Sequence, residues 1–75
     1  MQKQSFIHFY VQCQKDDGNL ITIYHTYDEE EKEYYYKFLD KKKAIALANS
    51  EKEASPNEKF RVVKCTETYE LYDWI

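Results

Sequence analysis

The sequence predicts an α+β fold in two layers: a mostly antiparallel sheet of three to four strands with one helix on one face, in the order β-β-β-α-β. Three observations lead there. Residues 7–14 alternate apolar and polar side chains, a second alternating run follows the short break Asp16-Asp17-Gly18, and residues 41–54 carry apolar side chains at helical spacing behind an aspartate. The 75 residues suffice for a single domain, spanning 1–75, and 43% hydrophobic residues supply a core although 33% of residues are charged.

In the first run Ile7, Phe9, Val11 and Cys13 fall on one side and His8, Tyr10, Gln12 and Gln14 on the other, the pattern of a half-buried strand. The second run covers residues 20–27, with Ile21 and Ile23 in phase against Thr22, Tyr24 and Thr26. Parity decides the turn between them, because cross-strand partners share a face. A two-residue loop would set Cys13 against Thr22. A three-residue loop, Asp16-Asp17-Gly18, pairs Cys13 with Ile21, Val11 with Ile23 and Phe9 with His25, and places Gly18 at the left-handed position of a G1 bulge.

Asp28 to Glu33 holds five acids and Lys32, and reads as a solvated connection. Residues 34–38 read as a third strand, with Tyr34, Tyr36 and Phe38 on one face. Asp40 is a suitable N-cap, Ala44, Ile45, Leu47 and Ala48 form one stripe, and Ser55-Pro56-Asn57 stops the helix. The last strand runs over residues 60–66. Residues 67–75 then continue without glycine or proline, as an extension of that strand, a tail, or an arm exchanged between protomers.

The composition excludes several classes of function. No stretch approaches the ~20 apolar residues of a membrane span and residues 1–5 lack the apolar core of a secretory signal, so a cytoplasmic protein with reduced Cys13 and Cys65 is expected. There is no glycine-rich phosphate loop and no paired Cys or His ligand spacing, and only two histidines are present. No enzymatic activity, no cofactor and no metal are therefore expected. Cys13, His25 and Cys65 do not match a ligand pattern, so a hydrogen-bonded core His beside two thiols is expected, with His8 solvated. A net charge of −3 and a single arginine, Arg61, argue against nucleic acid, although an aromatic sheet face with lysines can stack single-stranded bases.

The outer sheet face holds the strongest binding signal. Phe6, His8, Tyr10 and Tyr24 project there, with Tyr35 and Lys37 expected to join them, and tyrosine suits interfaces because it is large, amphipathic and poor in rotamers. The expected contact residues are Tyr10, Tyr24, Tyr35, Tyr72 and Trp74, with Glu29, Glu30 and Glu31 steering a basic partner. Lys41, Lys42 and Lys43 occupy the first helical turn, where the dipole favours acids, and form a candidate anion contact unless the chain's own acidic run compensates them.

Phe38-Leu39-Asp40-Lys41 leading into Ala44-x-Ala46-x-Ala48, and Phe60 through Thr68, resemble a pattern common in tiny phage and bacterial proteins. That loose group brings no catalytic residues. The expected function is a non-enzymatic protein-binding module, in the manner of a phage or mobile-element accessory protein or inhibitor that occupies a host protein's surface. The alternatives are a self-associating structural homodimer and a single-strand nucleic-acid binder.

Overall fold

The computed structural model describes residues 2–75, and its elements follow from the local patterns with two rearrangements. Strand β1 (Gln2–Gln14) is central, flanked by β2 (Leu20–Ile23) and β5 (Lys59–Leu71), both antiparallel to it. Two short strands, β3 (Thr26–Asp28) and β4 (Glu33–Tyr35), form a separate hairpin, and helix α1 (Lys41–Ala54) precedes β5. The architecture is α+β with one helix and a mostly antiparallel sheet. Among the described residues no helix is long and apolar enough to cross a membrane.

The β1–β2 turn has the register that parity requires: Cys13 opposes Ile21 and Val11 opposes Ile23. Lys15 and Asn19 close the loop through Lys15 N–H to the Asn19 carbonyl at 2.8 Å, and Gly18 sits at φ +88°. The helix is capped as expected, with Asp40 Oδ1 accepting from Lys42 N–H at 2.9 Å. Its end is held by Ser55 N–H to the Glu51 carbonyl and by Lys52, whose ammonium donates to the Pro56 and Glu58 carbonyls. That ammonium neutralises the negative end of the helix.

The core lies between α1 and the odd-numbered face of β1. Val11 and Ala44 are fully buried and Ala48 nearly so, with Phe9, Ile23, Phe38, Leu47, Phe60 and Val62 packed around them. Two alanines let the helix approach the sheet closely, so the flanking aromatic and aliphatic side chains fill the margins. Ile45, expected in the buried stripe, stands 40% exposed at its edge.

The first rearrangement concerns the strand expected over residues 20–27. It breaks after Ile23, and Phe38 rather than His25 takes the place opposite Phe9, with N–H to carbonyl bonds of 2.8 and 2.7 Å in both directions. The core selects the more apolar ring for this site, because burying Phe is favourable whereas burying imidazole costs hydrogen bonds to water. His25 is left exposed, stacked on Phe38 at 4.1 Å, with its ring nitrogens bonded to Thr26 Oγ1 and the Lys37 carbonyl. To reach the core, the chain leaves β4 irregularly between Tyr35 and Phe38, so Phe38 parts company with Tyr34 and Tyr36 and the expected third strand stops at Tyr35.

The second rearrangement is one of extent. β1 and β5 pair over thirteen positions each, from Gln2↔Leu71 to Gln14↔Lys59, while the helix and β2 cover only the end that holds Val11. The result is elongated, 53 × 28 × 25 Å with a radius of gyration of 15.8 Å, against roughly 11 Å for a compact chain of this length. Residues 67–71 thus extend the last strand, and Tyr72, Trp74 and Ile75 follow it largely exposed.

Candidate functional site: an aromatic sheet face with an acidic margin

The even-numbered side chains of β1 and the odd-numbered ones of β5 share the face away from the helix, since Tyr10 opposes Val63, His8 opposes Cys65 and Phe6 opposes Glu67. Here the rings form a continuous chain. His8 and Tyr10 each meet Tyr36 (6.3 and 5.7 Å between centroids), Tyr36 meets Tyr24 (5.7 Å), Tyr24 meets Tyr34 (5.8 Å), and Tyr34 meets Tyr27 (4.6 Å). The three Tyr36 contacts are edge-to-face, the geometry the ring quadrupoles prefer.

Exposure rises along this chain. His8 is 6% exposed and Tyr10 and Tyr36 are half-buried, whereas Tyr24, Tyr27 and Tyr34 are open to solvent. The expectation of a solvated His8 is therefore corrected: Tyr36, delivered by the segment after β4, closes over a face that β1 alone would leave bare. The open end of the ring chain belongs to the β3–β4 hairpin, whose turn carries Glu29, Glu30 and Glu31. Asp28 Oδ1 holds that turn by accepting from Glu30 and Glu31 N–H at 2.8 and 3.1 Å. Lys32 completes it in the left-handed region at φ 56°.

The buried end holds a polar group. His8 Nδ1 faces Glu67 Oε1 at 3.9 Å, Lys37 Nζ stands 3.6 Å from the same oxygen, and Tyr69 donates to Glu67 Oε2 at 2.7 Å. The Tyr69 hydroxyl, followed by the Lys37 ammonium, holds the Glu67 carboxyl below its ordinary range, and Tyr69 is correspondingly raised by its bond to Glu67. Cys65 lies beside His8, so the expected neighbourhood of Cys13, His25 and Cys65 does not form. Cys13 is on the helix side of the sheet and donates to Glu58 Oε2 at 2.9 Å, His25 is outside the core, and Cys65 is on the aromatic face.

The structure divides the sequence-derived contact set. Tyr10 and Tyr24 belong to the ring chain, and Lys37 reaches it, 5.7 Å from the Tyr36 centroid. Tyr35 does not join it: paired with Thr26, it points away and donates to Glu31 Oε2 at 3.0 Å, a bond that raises its pKa. Tyr72 and Trp74 lie at the far tip of the β1–β5 ribbon, beside Gln2 and Gln4. That tip is eight residues along β1 from Tyr10, roughly 27 Å at ~3.4 Å per residue. Tyr27, Tyr34 and Tyr36 complete the site, and none of the three was among the expected contact residues: Tyr34 and Tyr36 were expected on the same face as Phe38, and Tyr27 at the end of a strand that breaks before it.

Lys41, Lys42 and Lys43 are exposed at the helix start, and the ion pairs among the described residues, Lys15–Glu58 and Lys37–Glu67 besides the His8–Glu67 contact, do not include them. The acidic run therefore does not fold back onto this terminus as an ion pair. A shallow groove at the other end of the sheet is lined by Gln12, Gln14, Leu20, Lys59, Phe60 and Arg61, a set with no thiol, imidazole or carboxylate. No family model, no curated protein and no solved structure matches the chain.

Proposed function

We propose that this protein is a non-enzymatic, cytoplasmic binding module that engages a basic surface of a protein partner through the solvent-exposed end of its tyrosine chain. The observation that carries this reading is the juxtaposition of Tyr24, Tyr27 and Tyr34, each about half exposed or more, with a hairpin bearing Asp28, Glu29, Glu30, Glu31 and Glu33 against the single Lys32. Tyrosine faces accept Lys and Arg side chains through cation–π contact, and flanking carboxylates steer such a partner and fix its register. The inner rings hold the outer ones in place, which lowers the ordering cost on binding. Such a module acts by occupying its partner's surface, the mode of an accessory protein or inhibitor.

The test is capture of partners from host lysate with and without nuclease, followed by Tyr24→Ala/Tyr34→Ala and Tyr72→Ala/Trp74→Ala variants with the fold checked by circular dichroism. The reading expects a protein retained despite nuclease, lost with the first pair, and retained less well as salt rises. Unchanged retention by the first pair refutes it.

A second reading, self-association, is favoured by one specific observation. The outer edge of β5 has no strand partner among the described residues, and its first half carries Lys59, Arg61 and Lys64 while its second carries Glu67 and Glu70. A two-fold axis pairing β5 with its copy would set the basic half against the acidic half. A mass that stays monomeric as concentration rises excludes it.

A further inference from the structure

We propose that His8, Cys65 and Glu67 bind a zinc ion on the aromatic sheet face. The three side chains are brought together by sheet geometry: His8 and Cys65 are direct cross-strand partners, and Glu67 is the next residue on the same face of β5, diagonal to His8. One donor atom from each lies within 4.8 Å of the other two. Donors around a tetrahedral zinc are about 3.5 Å apart, given bonds near 2.0–2.3 Å, so each must move inward by less than about 1 Å. Side-chain rotation supplies that without disturbing the strand register.

A second, independent feature points the same way. His8 is more than nine-tenths buried, yet its Nδ1 stands 3.9 Å from the Glu67 oxygen it faces, too far for a hydrogen bond. Among the described residues no side-chain nitrogen is sealed from water without a partner, so the largely buried imidazole, whose Nδ1 faces the carboxylate beyond hydrogen-bonding distance, can turn a ring nitrogen to a cation held between the three donors. The donor set of nitrogen, sulfur and oxygen suits zinc and excludes magnesium and calcium, which take oxygen ligands. Tyr69 holds the far oxygen of Glu67 and so orients the carboxylate from outside the metal's own ligands. The half-exposed Lys37 ammonium, 3.6 Å from Glu67 Oε1, competes with the metal for that oxygen and must swing into solvent. When zinc enters, the S–Zn bond forms as the Cys65 S–H bond breaks, and the proton leaves to solvent.

Three protein ligands leave a fourth position for water or for a donor from a bound partner. This site is independent of the protein-binding reading above, since zinc binding is read on the isolated chain.

The experiment is titration of untagged, reduced protein with Co(II), then displacement by Zn(II). A thiolate-to-cobalt charge-transfer band saturating at one metal per chain is expected, with Zn(II) abolishing it. Cys65→Ser should remove the band and weaken binding at least about 100-fold, and Tyr69→Phe should weaken it roughly tenfold. Lys37→Gln should tighten binding, an effect that simple unfolding cannot mimic. Cys13→Ala should leave the band intact. Absence of a thiolate band, a band that survives Cys65→Ser, or one metal per two chains overturns the assignment.

Discussion

Replacing Val11 by alanine tests where this small protein keeps its stability. Val11 is fully buried toward the covered end of β1, paired with Ile23 on one side and Val62 on the other and covered by Ala44 and Ala48. Val11→Ala removes two methyl groups, about 1.6 kcal/mol at about 0.8 each for transfer alone. The covering helix residues are alanines, which have no side-chain rotamers with which to fill the gap, so a cavity cost adds to this and brings the loss to about 2–3 kcal/mol. In a domain of this size about 1 kcal/mol shifts Tm by about 4–8 °C, so a fall of at least about 8 °C is expected. Urea and thermal unfolding followed by circular dichroism measure both quantities. Leu39→Ala, at a side chain 88% exposed, is the control and should stay within about 0.5 kcal/mol. A Val11→Ala loss below about 1 kcal/mol would refute the placement of the core between this residue and α1.

Other perturbations probe the turn, the cap and the charges. Gly18→Ala should destabilise by about 1–2 kcal/mol in urea unfolding even though an added Cβ would meet nothing within 4 Å, because φ +88° is strained for any L side chain. Asp40→Ala should cost about 1 kcal/mol through loss of the bond to Lys42 N–H, and Lys41→Glu should recover a few tenths, both read as Tm shifts. Hydrogen bonds from Cys13 and then Lys15 hold Glu58 below its ordinary 4.5, so its stabilising contribution is complete above that pH and lost as pH falls through the lower folded value. Urea midpoints between pH 6 and pH 2.5 should therefore fall less steeply in Glu58→Gln than in the parent. Burial, followed by the bond to Glu58, raises the Cys13 thiol above 9.0, so the contribution from that site is lost only as pH rises beyond that value, and a thiol reagent at neutral pH should modify Cys65 before Cys13.

What the amino-acid sequence determined by itself was local. The Asp16-Asp17-Gly18 loop, the pairing of Cys13 with Ile21 and the Asp40 cap follow from side-chain parity, one glycine and one short acceptor, and each involves residues a few positions apart. The fold class followed from those same patterns. Tertiary structure decided what required comparison between distant segments. Phe38 and His25 both could have faced Phe9, and the difference between burying a phenyl ring and burying an imidazole selected Phe38. The fate of β1's outer face was equally non-local. Its alternation shows that His8 lies opposite Val11's face, but only the arrival of Tyr36 makes His8 a buried group, and only the pairing with β5 sets Cys65 and Glu67 beside it. Parity names the face on which a side chain stands; what covers that face is settled by the free energy of burying segments far away in the chain.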